Sequence, residues 1–274
     1  MIKTVFLFSI FISDKFVLNK KLSYICSVIK IKKNMESFST KDIVGEIVAK
    51  NYKTAKIFKD NHIDYCCNGK RTIADACASQ NIDEAKIIEE LNRVQSTENS
   101  TATDYNNWPI DLLADYVEKK HHRYVEEKIP EIQPLIHKIV SVHGNRHPEL
   151  EKIAELFKET SGELTKHMKK EELMLFPYIK NLVKTKENGT IPSSPFGTVA
   201  NPIQQMMHEH DSEGERFRQI AQLADNYTPP SDACNTYRVT FQLLKEFEED
   251  LHLHIHLENN ILFPKAMQLE NELQ

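Results

Sequence analysis

One motif occurs twice in this 274-residue chain. HMKKEELMLFP begins at His167 and HIHLENNILFP at His254, and both fit H-x3-E-x3-L-F-P. The shared positions are His167, Glu171, Leu175, Phe176 and Pro177 in the first copy, and His254, Glu258, Leu262, Phe263 and Pro264 in the second. A spacing of four sets each histidine one helical turn before its glutamate on the same face. A single such pair is an ordinary helix-surface feature. Two copies on one apolar frame demand two helices that each turn an imidazole and a carboxylate the same way.

The surrounding sequence predicts an all-α chain. It has seven glycines and sustained amphipathic runs in place of short β-branched ones. Residues 108–270 read as a four-helix bundle. Asn107 caps the first helix with Pro109 in its opening turn, and Gly144 and Pro148 close the connection to the second, which runs to about Lys186. NGTIPSSPFGTVANP is a long loop, the third helix runs from Pro202 to Ala224, and Pro229, Pro230 and Ser231 turn the chain into a fourth that ends near Leu269. Pro177 and Pro264 are expected to bend or end their helices. Residues 38–95 form a small helical domain of three short helices around DYCCNGKRTIADAC, and the polar residues 96–107 form a linker. Residues 1–34 carry a short apolar run and the basic IKIKK, without a cleavage site, and helical periodicity begins at Met35. They are expected to be an extension outside the folded unit, with the start at Met1 or Met35 left open.

A bundle permits a register test. His121 lies as far before Gly144 as His167 lies after it, and His210 and His254 stand equally far from the turn at residue 232. On the first helix Leu113, Val117, His121 and Tyr124 share an apolar stripe, which sets His122 on the charged side. Ile203, Met206, His210 and Phe217 share a face of the third helix, and Phe247, Leu251, His254 and Glu258 share one of the fourth, with His252 and His256 pointing elsewhere. The predicted inward set is therefore His121, His167, Glu171, His210, His254 and Glu258. Buried carboxylates need a compensating cation, and no lysine or arginine lies at this level of these faces. Four imidazoles and two carboxylates suit two octahedral first-row ions bridged by the carboxylates, best two iron ions, with manganese or a mixed pair as alternatives. Glu118-x-x-His121 and Glu249-x-x-His252 match the spacing of ferritin-like sites but lack partner carboxylates and rank second.

Four further residues stand out. Glu163, one turn before His167, and Glu209, beside His210, are candidates for a second layer or an iron path. Cys66 and Cys67 cannot easily form a relaxed disulfide with each other. They precede Lys70 and Arg71, cations that would lower a thiol pKa, so at least one is expected to be a reactive thiol, for redox response or docking. The net charge of −5 gives no basic footprint for nucleic acid or an acidic membrane. Five cysteines, an odd number without disulfide-scaffold density, read as thiols of a reducing compartment.

His121, HMKKEELMLFP, the HEHDSEGE segment around His210 and HIHLENNILFP together resemble the hemerythrin-like domain of bacterial iron-sulfur cluster repair di-iron proteins. DYCCNGKRTIADAC resembles that family's small cysteine-bearing N-terminal domain. The likeness covers about residues 38–270. It implies a non-haem di-iron centre on the six positions above, in a cytoplasmic protein that restores iron centres damaged by nitric oxide or peroxide. The expected partners are proteins with damaged iron-sulfur clusters and nitric oxide, with a homodimer left open. An iron donor is favoured over a classical enzyme. The alternatives are a di-iron nitric oxide reductase and a hemerythrin-like binder of nitric oxide or oxygen. Oxygen carriage is the less favoured of these, because oxygen-carrying hemerythrins use an additional His and an Asp where this chain offers a second Glu.

Overall fold

In the computed structural model, which describes residues 37–96, 103–188 and 194–274, the periodic runs of the sequence become eight helices. Four short ones come first: α1 (Val44–Lys50), α2 (Ala55–Asp60), α3 (Ile73–Gln80) and α4 (Glu84–Ser96). Thr72 caps α3 by accepting from the Asp75 amide at 3.1 Å. Asn81 closes α3 in the left-handed region at φ 55°, which supplies the break expected between residues 72 and 94. Among the described residues, strand-like pairing is limited to one antiparallel bridge between Ile43 and Thr72.

The bundle follows. Ile110–Tyr116, Val117–His122 and Arg123–His143 run on as one helix, α5. Glu149–Lys170, Glu171–Leu175 and Phe176–Asn188 make α6. Ala200–Leu223 is α7. Asn235–Leu257, Glu258–Leu262 and Phe263–Leu273 make α8. The middle piece of α5, α6 and α8 is in each case a π-helical turn. Helix α5 packs on α6 and α8, and α6 packs on α7. One end of the bundle is filled by Leu113, Val117, Leu175, Phe176, Ile203, Met206, Leu262 and Phe263, all buried. The expectation for residues 1–34 lies outside the described residues.

Pro177 and Pro264 do not end their helices. A proline clashes with the carbonyl four residues back. Here each follows a π turn, in which Phe176 donates to the Glu171 carbonyl and Phe263 to the Glu258 carbonyl, five residues back. The widened turn absorbs the ring and the helix continues.

The small helices rest on α8. Gly45 of α1 faces the Asn260 side chain so closely that a Cβ would stand 2.4 Å from its Oδ1. Asn260 Nδ2 donates to the Tyr65 carbonyl at 3.1 Å, and the rings of Tyr52 and Tyr65 each stand 5.8 Å from that of His256.

Nearer the start of α8 lies Glu248, 7% exposed. Burial pushes its carboxyl from the ordinary 4.5 up to about 7, with Lys59 pulling the other way. Between these values the folded chain holds a proton that the unfolded chain has released. Stability should therefore fall as pH rises from about 4.5 to 7, by at most about 3 kcal/mol at 1.36 per pH unit. Urea unfolding should show Glu248→Gln gaining more on the natural chain at pH 8 than at pH 5; an equal difference at both would contradict the assignment.

Candidate metal centre

The two copies of the motif meet across the bundle and share their carboxylates. Glu171 and Glu258, both fully buried, stand with His122 and His254 in one group of donors and with His167 and His210 in another, the donor atoms of each group lying within 4.8 Å of one another. Four helices supply the six side chains: α5 gives His122, α6 His167 and Glu171, α7 His210, and α8 His254 and Glu258.

Each copy also serves a histidine on another helix. In the first, Glu172 follows the shared carboxylate and accepts from His122 Nδ1 at 3.0 Å, and Phe176 stacks on the same ring at 5.6 Å. In the second, Asn259 accepts from His210 Nδ1 at 2.9 Å and Phe263 stacks on that ring at 6.0 Å. The common H-x3-E-x3-L-F-P frame thus encodes a ligand, a shared carboxylate, a core leucine and a platform for a ligand of a second helix.

Hydrogen bonding fixes the tautomers. Asn259 Nδ2 donates to the Cys66 carbonyl at 3.2 Å, so its Oδ1 is the atom that faces His210, and His210 Nδ1 carries the proton. The carboxylates of Glu172 and Glu209 impose the same on His122 and His167, the latter at 2.9 Å. Each of these rings therefore turns its Nε2 lone pair inward.

His210 Nε2 and His167 Nε2 stand 3.0 Å apart, and the other inward atoms find no donor among the described residues. His122 Nε2, His254 Nε2 and both carboxylate oxygens of Glu171 and Glu258 are buried without hydrogen bonds. Yet His122 Nε2 lies 3.3 Å from Glu171 Oε2, His210 Nε2 3.1 Å from Glu258 Oε2, and His254 Nε2 3.3 Å from Glu258 Oε1. Close approach without hydrogen-bond geometry is the pattern of lone pairs converging on a cation. The donor set fits a pair of first-row metal ions.

The field inside the cluster is set by the same contacts. Burial alone would push both carboxyls up, and at Glu171 the charge of Glu258 adds to it. The facing imidazoles prevail, His167 and His122 at Glu171 and His254 and His210 at Glu258, and hold both carboxyls below the usual range. Burial likewise opposes charge on His167, but Glu171 and Glu209 raise it to about 10.

Five of the six expected ligands lie in the cluster, and His122 takes the place of His121. The π turn is the reason. His121 and His122 are both buried, but across the π turn Val117–His122 the face that a regular helix would bring round to His121 advances one position to His122. His121 Nδ1 pairs with Asp250 at 3.0 Å and its ring lies parallel to that of His254 at 5.7 Å. Glu209 does stand behind His167, tied to Lys170 and to Gln205. Glu163 does not: its side chain is 53% exposed and pairs with Lys166 at 3.2 Å. Glu172, Asn259 and Asp250 escaped the sequence reading. The residue following each repeated glutamate was the available signal.

Cys66 and Cys67 lie against this centre, on the loop that reaches α7. Cys67 Sγ donates to the His210 carbonyl at 3.3 Å, and a Cβ at Gly214 would stand 2.8 Å from that sulfur. Both cysteines are free thiols, their sulfurs 3.7 Å apart. The expected cationic activation is absent at Cys66. Its contact with Cys67 and its burial push that thiol well up, with Asp64 adding to the effect. Lys70 and Arg71 turn instead to Met207 and Ser79. Asp64, Cys66 and Cys67 form a further group of donors within 4.8 Å of one another, and a cavity of about 500 Å³ lined by Lys59, Tyr65, Arg218 and His252 opens beside Cys66.

A ligand and its neighbour can be told apart by metal affinity, measured in competition with a chromophoric chelator. Asn259→Leu should weaken binding roughly 10–100-fold by freeing the His210 ring. His122→Ala, which removes a donor, should cost more, and His121→Ala less than either. Equal loss in the two histidine variants would return His121 to the ligand set.

Comparison with known proteins matches both parts of the chain. The hemerythrin HHE cation binding domain matches residues 113–266, and a domain of unknown function, DUF542, matches residues 40–95. Proteins named iron-sulfur cluster repair protein YtfE from Yersinia pseudotuberculosis and Yersinia pestis are each 34% identical over 218 residues, which covers 80% of this chain and 93% of theirs. With both of its parts matched over most of their length, the chain belongs to the hemerythrin-type family of iron-sulfur cluster repair proteins.

Proposed function

We propose that this protein repairs iron-sulfur clusters damaged by nitrosative or oxidative stress, holding two carboxylate-bridged iron ions on His122, His167, Glu171, His210, His254 and Glu258 and giving iron up to the damaged cluster. The observation that carries the reading is the sharing of Glu171 and Glu258, whose carboxylate oxygens are buried without hydrogen bonds, between two pairs of imidazoles. Bound iron would supply the cargo and the redox capacity. No helix among the described residues is long and apolar enough to cross a membrane. The cytoplasm, where free thiols persist, is the proposed location.

Release from so buried a cluster needs side chains that can satisfy one another afterwards. His167 and Glu171, 3.4 Å apart, and His254 and Glu258, 3.3 Å apart, can pair as imidazolium and carboxylate once protons arrive. Glu209 offers the way in: its carboxylate is 23% exposed, bonds His167 on the inside and meets Lys170 at the surface. The hydrogen bond from His167 and the contact with Lys170 hold its carboxyl far below the usual range, so it stays a charged acceptor.

The test offers iron-loaded protein, with a chelator in the surrounding solution, to an enzyme whose cluster has been damaged by nitric oxide, and separately offers it nitric oxide without oxygen. Recovery of enzyme activity in the first arm supports donation. Consumption of nitric oxide with no recovery would make the protein an oxidoreductase instead. Glu209→Leu, compared at equal iron loading, should slow recovery, whereas Glu171→Ala with Glu258→Ala should abolish both iron binding and recovery. An unchanged rate in Glu209→Leu would remove that residue from the iron path.

A further inference from the structure

The turns at one end of the bundle bring together a thiol and an imidazole that the metal centre does not use. His143 is the last residue of α5, and Cys234 is the residue immediately before α8. His143 Nε2 stands 3.3 Å from Cys234 Sγ. The histidine is 4% exposed, its Nδ1 is buried without a partner, and the Tyr237 ring meets it edge-on at 5.4 Å. Among the described residues its one polar side-chain contact is the thiol.

Cys234 has the opposite exposure. It is at the surface, whereas Cys66 and Cys77 are buried and Cys67 is half-buried. It occupies the N-cap of the 23-residue first segment of α8 without a side-chain capping bond, so the sulfur is not tied to the first-turn amides. The loop that carries it is pinned nearby, since His147 bridges Asp232 and Glu149 at 3.0 Å each, and Arg146 reaches Asp232 at 3.1 Å. An accessible nucleophile, a buried base within hydrogen-bond reach and a fixed loop are the parts of an activated thiol.

We propose that Cys234 and His143 form a reactive thiol–imidazole pair that exchanges with low-molecular-weight disulfides, making Cys234 a site of mixed-disulfide modification. The Cys234 proton passes to His143 Nε2 as Sγ attacks one sulfur of the disulfide. The disulfide S–S bond breaks as the bond to Cys234 forms, and the departing thiolate takes the proton from His143 and leaves as a thiol. The Cys234 sulfur is oxidised and the departing sulfur reduced, so no further oxidant is needed. Twenty residues of α8 separate Cys234 from His254, roughly 30 Å at 1.5 Å per residue, so this chemistry is remote from the metal cluster.

The full-length protein is incubated with glutathione disulfide, quenched with iodoacetamide and read by peptide mass spectrometry. Cys234 should be glutathionylated at least about tenfold faster in the folded chain than in the same chain unfolded in urea, and His143→Gln should remove most of that gain. Cys234→Ser should leave no modification at this peptide. A folded-state rate no higher than the unfolded one overturns the proposal, as does an unchanged rate in a folded His143→Gln protein. Should His143→Gln fail to fold, the folded-to-unfolded comparison in the natural chain still decides.

Discussion

Two fully buried carboxylates, Glu171 and Glu258, are the constraint around which the rest of the bundle is arranged. Ionised groups out of contact with water cost several kcal/mol each unless their charge is answered. Among the described residues neither lysine nor arginine faces them; four histidines on four helices do, and a cation held between these donors would answer the charge. That requirement fixes the helices in depth and rotation more tightly than apolar packing could, because a core leucine tolerates small displacements that a metal ligand does not.

The repeated motif gives the centre an approximate symmetry, and its differences give it direction. One copy continues Glu171 with Glu172, a carboxylate that reaches Lys169 at the surface. The other continues Glu258 with Asn259 and Asn260, whose amides donate to the Cys66 and Tyr65 carbonyls. The first half of the site is thus held from the solvent side, and the second is roofed by the small helices. Asn259 touches a ligand and the cysteine loop at once, which makes the small N-terminal helices part of the centre's support.

Much of this was legible in the sequence because ligand spacing and apolar periodicity are local. The repeated motif located His167, Glu171, His254 and Glu258 without any fold, and symmetry about the turns added His210. His121 gives way to His122 for a definite reason: at 3.6 residues per turn His121 shares the face of Val117, and the π turn advances that face by one position. The same widening let the helices run through Pro177 and Pro264. Partners of the second layer were less legible, since Asp250 meets His121 across 129 residues and no local spacing announces such a pair. Glu163 had the right spacing but the wrong neighbour, a lysine three residues on that draws it into solvent.

Gly214 has a consequence that reaches beyond its own position. Its hydrogen leaves the Cys67 sulfur just enough clearance to seat against α7, one turn beyond His210. No additional heavy atom fits in that gap. A side chain at position 214 would press on the Cys67 sulfur and so on the loop whose Cys66 carbonyl accepts from Asn259. The amide that meets His210 is thus braced, through the cysteine loop, by a clearance the width of one hydrogen atom on α7.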